Sequence, residues 1–276
     1  MEREVVSLDY SELKYAFEDL DLADKPVIVH AALRPFGYIK SGVDAVLRAM
    51  LSSFKSVVMP AFTYKTMVTP EVGPPDNGIT YGSEKDLNKM AQSFSLNMRV
   101  DPMIGILAET LQIRPFATRT DHPILSFTGI RADEFLITQT LANPLAPIGA
   151  LAEADGWVVL INVDHSVNTS IHYAEKLAGR KQFIRWAIMG NRIVECPGFP
   201  GDSSGFNAIE PYLKSATRRV DVGHGFIQAV SLKRVFEVTQ ELIKKDPLAL
   251  LCQRSDCERC DAVRSYASGR INSRTR

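Results

Sequence analysis

Residues 164–175 read Asp-His-Ser-Val-Asn-Thr-Ser-Ile-His-Tyr-Ala-Glu, the densest run of potentially reactive side chains in the sequence. The run begins where an apolar stretch, residues 157–163, ends. His172 and Glu175 are three residues apart, and on a helix that spacing places both on one face. There a carboxylate can hold one imidazole nitrogen and leave the other basic, which is how an oriented general base is built. The same spacing also suits a surface ion pair, or a core histidine satisfied by its neighbour. Asn168 and Thr169 stand at the start of that helix, whose free N–H groups suit an anion or a developing oxyanion.

Three other groups invite chemistry. His30 follows a short β-branched run and leads into Ala31, Ala32, Leu33, Arg34, Pro35, Phe36 and Gly37. Arg119, Asp121 and His122 precede another apolar segment that contains Ser126, and Arg119 suits either a phosphate or a pair with Asp121. Cys252, Cys257 and Cys260 form a Cx4CxxC pattern, with Cys196 as the only other thiol. A structural zinc needs four ligands, so three local thiols are incomplete, and reduced structural cysteines with no metal are the expectation. No phosphate-binding glycine loop, nucleophile elbow, HExxH or dinucleotide fingerprint is present.

The elements that must position these groups follow from periodicity. Asp9 three residues before Glu12, with Leu13, Ala16, Phe17 and Leu20 on one face, predicts a capped helix. Residues 26–29 predict a strand; Ser41 with Asp44 resembles a second cap before a helix through Leu51, and residues 57–59 return as a strand. Residues 63–100 lose periodicity and carry turn formers, which predicts a long substrate-side loop. Further on, residues 104–113 predict a helix, 125–128 and 157–163 strands, and 231–245 a last helix. Gly190-Asn191 predicts a two-residue hairpin turn between residues 182–189 and 192–196. The expectation is one α/β domain over residues 1–276: a mostly parallel central sheet flanked by helices, with that hairpin added to it.

Taken together, the quoted segments resemble the aminoglycoside 3-N-acetyltransferases, acetyl-CoA-dependent enzymes whose fold differs from that of the GNAT acetyltransferases. The resemblance runs through His30 to Gly37, Val58-Met59-Pro60-Ala61-Phe62-Thr63, the helix from Gly105 to Glu109, Arg119 to Phe127, Pro144 to Leu151, and Asn168 to Glu175. It implies transfer of acetyl from acetyl-CoA to a primary amine, with His172 as base and Glu175 orienting it. It also implies CoA contacts from His30, Ala31, Ala32, Leu33, Gly37, Arg119, His122, Ser126, Asn168 and Thr169. Where the family has two serines after the first histidine, this chain has Ala31 and Ala32, so hydroxyl contacts from that turn are absent. Tyr64, Asp164 and Glu71 are the expected amine-side residues. The acids of the long loop, Glu71, Asp76, Glu84 and Asp86, are balanced by Lys65, Lys85, Lys89 and Arg99, so a non-antibiotic amine stays open as substrate. A non-catalytic CoA- or partner-binding protein is the reading from another class.

Composition bounds the rest. The 276 residues are 45% apolar and 23% charged, an ordinary globular balance. Thirty-two basic residues face 32 acidic ones, so net charge recruits neither nucleic acid nor an anionic membrane. Four cysteines and no apolar leader predict a reducing, cytoplasmic setting; monomer and homodimer both stay open. The charge is unevenly spread: residues 252–276 hold six arginines against three acids, which predicts a basic, solvated tail on a mildly acidic body.

Overall fold

The computed structural model describes residues 7–83 and 85–274, with side chains through residue 268. Glu84, Arg276 and the side chains of Arg270 and Arg274 therefore lie outside the described residues. In chain order the strands are β1 (Ser7–Leu8), β2 (Pro26–Ala31), β3 (Tyr38–Ile39), β4 (Ser56–Pro60), β5 (Met67–Val68), β6 (Ala117–Arg119), β7 (Phe127–Ile130), β8 (Trp157–Ile161), β9 (Phe183–Met189), β10 (Arg192–Phe199), β11 (Arg218–Val222) and β12 (Gly225–Ser231). The helices are α1 (Tyr10–Glu18), α2 (Gly42–Ser53), α3 (Lys85–Met90), α4 (Ile106–Gln112), α5 (Asp133–Leu136), α6 (Ala146–Glu153), α7 (Thr169–Leu177), α8 (Glu210–Leu213), α9 (Leu232–Lys245) and α10 (Glu258–Arg274).

Seven strands form the central sheet in the order β11-β12-β8-β2-β4-β7-β6. Successive side chains of its middle strands enter opposite cores. Val27 and Val29 of β2 and Val57 and Met59 of β4 face α1, α2 and α4. Ile28, Val58, Val158 and Leu160 face α6, α7 and α9 on the other side. Burial on both faces is why these strands are uninterrupted apolar runs. The α1 capping box is present: Asp9 accepts from the Ser11 and Glu12 amides, and Glu12 accepts from the Asp9 amide.

Four expectations are corrected. The sheet is mixed, because only β8-β2 and β2-β4 are parallel, while β4-β7, β7-β6, β12-β8 and β11-β12 run antiparallel. Short connections force two of these pairings, β6-β7 and β11-β12: Val222 pairs with Gly225 across a two-residue turn, and positive φ at Gly223 permits it. The hairpin at Gly190-Asn191 forms in the expected register but joins β5 in a separate three-stranded sheet. Residues 63–100 hold β5 and α3, and Asn77 docks them on β9 by bonding both backbone groups of Ile184 (2.8 and 3.0 Å). Ser41 does not cap α2; its φ is +68° and its side chain makes no capping bond.

The basic tail is also built into the body. Its first part carries buried Cys252 and Cys257, and α10 buries Cys260 and Val263. No described helix is long and apolar enough to cross a membrane.

Candidate active site

The three parallel strands β8, β2 and β4 send their carboxyl ends into one cavity of about 730 Å³. Such ends are where α/β sheets receive ligands, because the following segments splay away from the sheet. Val163, Ser166, Val167, Asn168, Thr169 and His172 line it after β8, His30 to Ala32 after β2, and Met59 to Phe62 in part after β4. The β5-β9-β10 sheet and the loop after it close the other side through Met67, Arg185 and residues 199–204.

His172 is placed by local rules. Asn168 caps α7 by accepting the Ser170 amide at 3.1 Å, and its amide meets His165 Nδ1 at 3.2 Å. One turn on, His172 Nδ1 donates to Glu175 Oε2 at 2.9 Å. The other carboxylate oxygen, Oε1, accepts from Arg180 at 2.9 Å. Arg180 is itself anchored on the carbonyls of Pro247 and Ala249. All three side chains are at least nine-tenths buried. With Nδ1–H committed to a carboxylate, Nε2 is the proton acceptor, and the Phe206 ring, in a T-shaped contact with centroids 4.6 Å apart, fixes the imidazole plane. The i,i+3 pair expected from spacing is thus a buried triad in a cavity wall. Arg180 carried no sequence signal beyond the need of a buried carboxylate for a second partner.

His30 lines the same cavity, and its Nε2 is buried with no hydrogen-bond partner among the described residues. Burial pushes its pKa down to about 3, so the ring is neutral and offers one polar atom to a ligand. Ala31, Ala32 and Tyr64 also line the cavity; burial and the nearby Asp101 push the Tyr64 phenol up to about 12. The turn after His30 has few N–H groups to give, since the amide of Ala32 bonds Ile161, that of Phe36 bonds Leu33 and that of Gly37 bonds Arg34.

Other expected residues lie away from the cavity. Arg119 spends its donors on Ser126 and on the carbonyls of Ala61, Leu96 and Met98, pinning the end of the long loop; Ser126 bonds Ala61 in turn. His122 Nδ1 accepts the Ile124 and Leu125 amides (3.2 and 3.0 Å), which makes it a turn-building residue, and burial lowers its pKa to about 4. Leu33 packs into the core beneath α1 and α2, and Gly37 ends a 3₁₀ turn at φ +75°. Asp164 caps the 3₁₀ turn at residues 165–167, and Glu71 pairs with Lys85 at 3.4 Å on the surface.

Asp202, Ser203, Ser204, Arg254 and Arg259, none of them expected, complete the cavity wall. Arg259 bonds the Gly201 carbonyl at 3.0 Å and Asp202 at 3.3 Å. Behind Asp202 lie Cys252, Cys257 and Cys260, and the four ligand atoms fall within 4.8 Å of one another. Cys196 is not among them. It sits on β10 with its thiol toward the Val194 carbonyl, and a bulge after it carries the chain on to Asp202. Only the signature Gly-Asp-Ser-Ser-Gly after an apolar strand hinted at this turn.

Residues 28–244 match the family model described as aminoglycoside 3-N-acetyltransferase. Aminoglycoside N(3)-acetyltransferase IV of Salmonella sp is 24% identical over 163 residues, which make up 55% of this chain. The matched region spans 62% of that relative, less than two thirds of its length. Among solved structures, the apoenzyme of aminoglycoside acetyltransferase AAC(3)-IVa has a TM-score of 0.75 at 22% identity, covering 94% of this chain and 98% of its own. A variant of it in complex with a gentamicin has a TM-score of 0.73 at 20% identity, covering 96% and 99%. AAC-IIIb in binary complex with CoASH has a TM-score of 0.70 at 20% identity, covering 87% and 97%. Likeness at these identities shows the fold.

Proposed function

Since the chain belongs to the aminoglycoside 3-N-acetyltransferase family by the match of residues 28–244, we propose that it transfers acetyl from acetyl-CoA to a primary amine, with His172 as general base. The observation that carries this reading is the buried His172-Glu175-Arg180 triad opening on a cavity at the carboxyl ends of three parallel strands. An alkyl ammonium cannot attack a carbonyl, so the amine must lose a proton near neutral pH. One ammonium proton leaves to solvent before attack, and His172 Nε2 takes a second from the nitrogen as it bonds the thioester carbon. When the C–S bond breaks, the imidazolium returns the proton to the departing sulfur. Glu175 holds the tautomer and stabilises the imidazolium, and Arg180 holds Glu175 in place.

Co-substrate binding is supported by the cavity and by the structure of a related enzyme with CoASH. His30 Nε2 suits an amide of the pantetheine arm, and the hydroxyls of Thr169 and Ser203 line the same space. A cytoplasmic setting, where four free cysteines stay reduced, belongs to this reading.

On the amine side, gentamicin binding by AAC(3)-IVa supports an aminoglycoside. One observation favours the second reading, a non-antibiotic amine. The cavity is lined by three guanidinium groups, Arg185, Arg254 and Arg259, against one carboxylate, Asp202, which already faces Arg259. A polycation is poorly met by such a wall.

The test is thiol release from acetyl-CoA across aminoglycosides and simple polyamines, with wild type and His172→Ala side by side. Turnover with at least one amine is expected, falling by roughly 10²- to 10⁴-fold in the variant while a thermal shift with acetyl-CoA persists. Absence of both turnover and thermal shift at millimolar acetyl-CoA would overturn the proposal, and turnover with polyamines alone would select the second reading.

A further inference from the structure

The cysteine cluster lies outside the acetyl-transfer chemistry, and its geometry does not depend on how His172 works. Cys252, Cys257 and Cys260 are buried together with Asp202, and the Cys252 and Cys260 sulfurs are 3.4 Å apart. All four ligand atoms lie within 4.8 Å of one another. A tetrahedral zinc with bonds of about 2.3 Å to sulfur spaces its sulfurs about 3.8 Å apart, so the four groups need only a slight adjustment to close on one ion. Three thiolates and one carboxylate form a soft, closed donor set of the kind that holds structural zinc.

The surroundings also suit a metal. Asp202 Oδ1 accepts the Ser204 amide at 2.9 Å and Oδ2 meets Arg259 at 3.3 Å, so the carboxylate is oriented from behind. Zinc binding releases three thiol protons and leaves the ligand set with two negative charges in excess. Arg254 is electrostatically coupled to Cys252, Cys257 and Asp202, Arg264 to Cys252 and Cys260, and Arg259 is paired with Asp202. Arg254 and Arg264 are themselves paired with Asp256 and Asp261, so these guanidinium groups offset part of that excess.

We propose that Cys252, Cys257, Cys260 and Asp202 form a structural zinc site that ties the 201–204 wall of the cavity to the start of α10. It replaces the expectation of metal-free thiols, and the fourth ligand is Asp202 in place of Cys196.

The test uses the full chain, expressed with zinc in the medium and purified under reductant without chelator. Elemental analysis is expected to find about one zinc per chain. Cobalt in its place should give thiolate-to-metal charge-transfer and intense tetrahedral d–d bands. Cys196→Ser should keep the metal and Cys257→Ser should lose it. Stripping the metal from wild type should lower Tm by more than about 5 °C. If Cys257→Ser does not fold, the zinc content and cobalt spectrum of wild type still decide. Under about a tenth of a zinc per chain, unchanged after incubating the reduced protein with zinc, would overturn the proposal. A Cys252–Cys260 disulfide in protein alkylated at lysis would overturn it as well.

Discussion

His172 matters because of what its buried neighbours do. Glu175 accepts from both His172 and Arg180, and no other described side chain bonds its carboxylate. Replacing Arg180 with Met leaves that carboxylate buried without its counter-ion, a change that costs about 3–5 kcal/mol. Arg180→Met should therefore lower the urea midpoint sharply, and an unchanged midpoint would show that the pair is not needed. Glu175→Gln keeps the volume but removes the charge that steadies the imidazolium. Its kcat should fall by at least about tenfold with the KM for acetyl-CoA little changed, which separates positioning from co-substrate binding. The i,i+3 pair was legible in the sequence because helix geometry fixes it locally. Arg180 was not, since its role depends on carbonyls 67 and 69 residues further along.

Two other histidines govern pH behaviour. Burial depresses His30 to about 3 and His122 to about 4, against an ordinary value of 6.5. Unfolding lets each bind a proton more readily, so stability is fully present above pH 6.5 and is lost as pH falls toward those lower values. Each contributes on the order of 3 kcal/mol over that window. Melting temperature measured from pH 7 to 4.5 should decline steeply, and His122→Gln should flatten the curve if the variant folds.

At the scale of elements, α7 depends on its cap. Asn168→Ala removes the bond to the Ser170 amide and should cost about 1 kcal/mol, with a loss of kcat because the first turn carries His172. Both a Tm and a rate measurement check it. In β7, a Cβ on Gly129 would stand 2.8 Å from the Val57 carbonyl and from Ala132 Cβ. Gly129→Ala should thus push β7 off β4 and cost about 1–3 kcal/mol in chemical denaturation. The capping box of α1, the strands of residues 26–29 and 157–163 and the 190–191 turn were legible, because cap chemistry, apolar runs and turn residues act within a few positions. The pairings of β6-β7 and β11-β12 were not anticipated, although Gly223 marked the second. A turn residue shows that the chain reverses but not where the hairpin docks.

For the whole molecule, the C-terminal segment is structural. Leu250, Leu251, Cys252, Cys257, Cys260 and Val263 belong to the same core as Ile148, Ile171 and Phe206. A chain ending at residue 251 should lose cooperative unfolding and elute as aggregate, whereas a solvated tail could be removed without effect. The balanced total charge likewise conceals an arrangement: three arginines meet in the cavity, one of them from the basic C-terminal end at Arg254 and one from Arg259 on α10. Sequence alone determined the helix that carries His172 and Glu175, the doubly buried strands, and the family to which they pointed, since these rest on local periodicity and on residues in order. Tertiary structure alone decided the mixed strand order, the third partner of the triad and the joining of Asp202 to three cysteines. Those depend on which distant segments the two cores bring together, and no spacing along the chain encodes that.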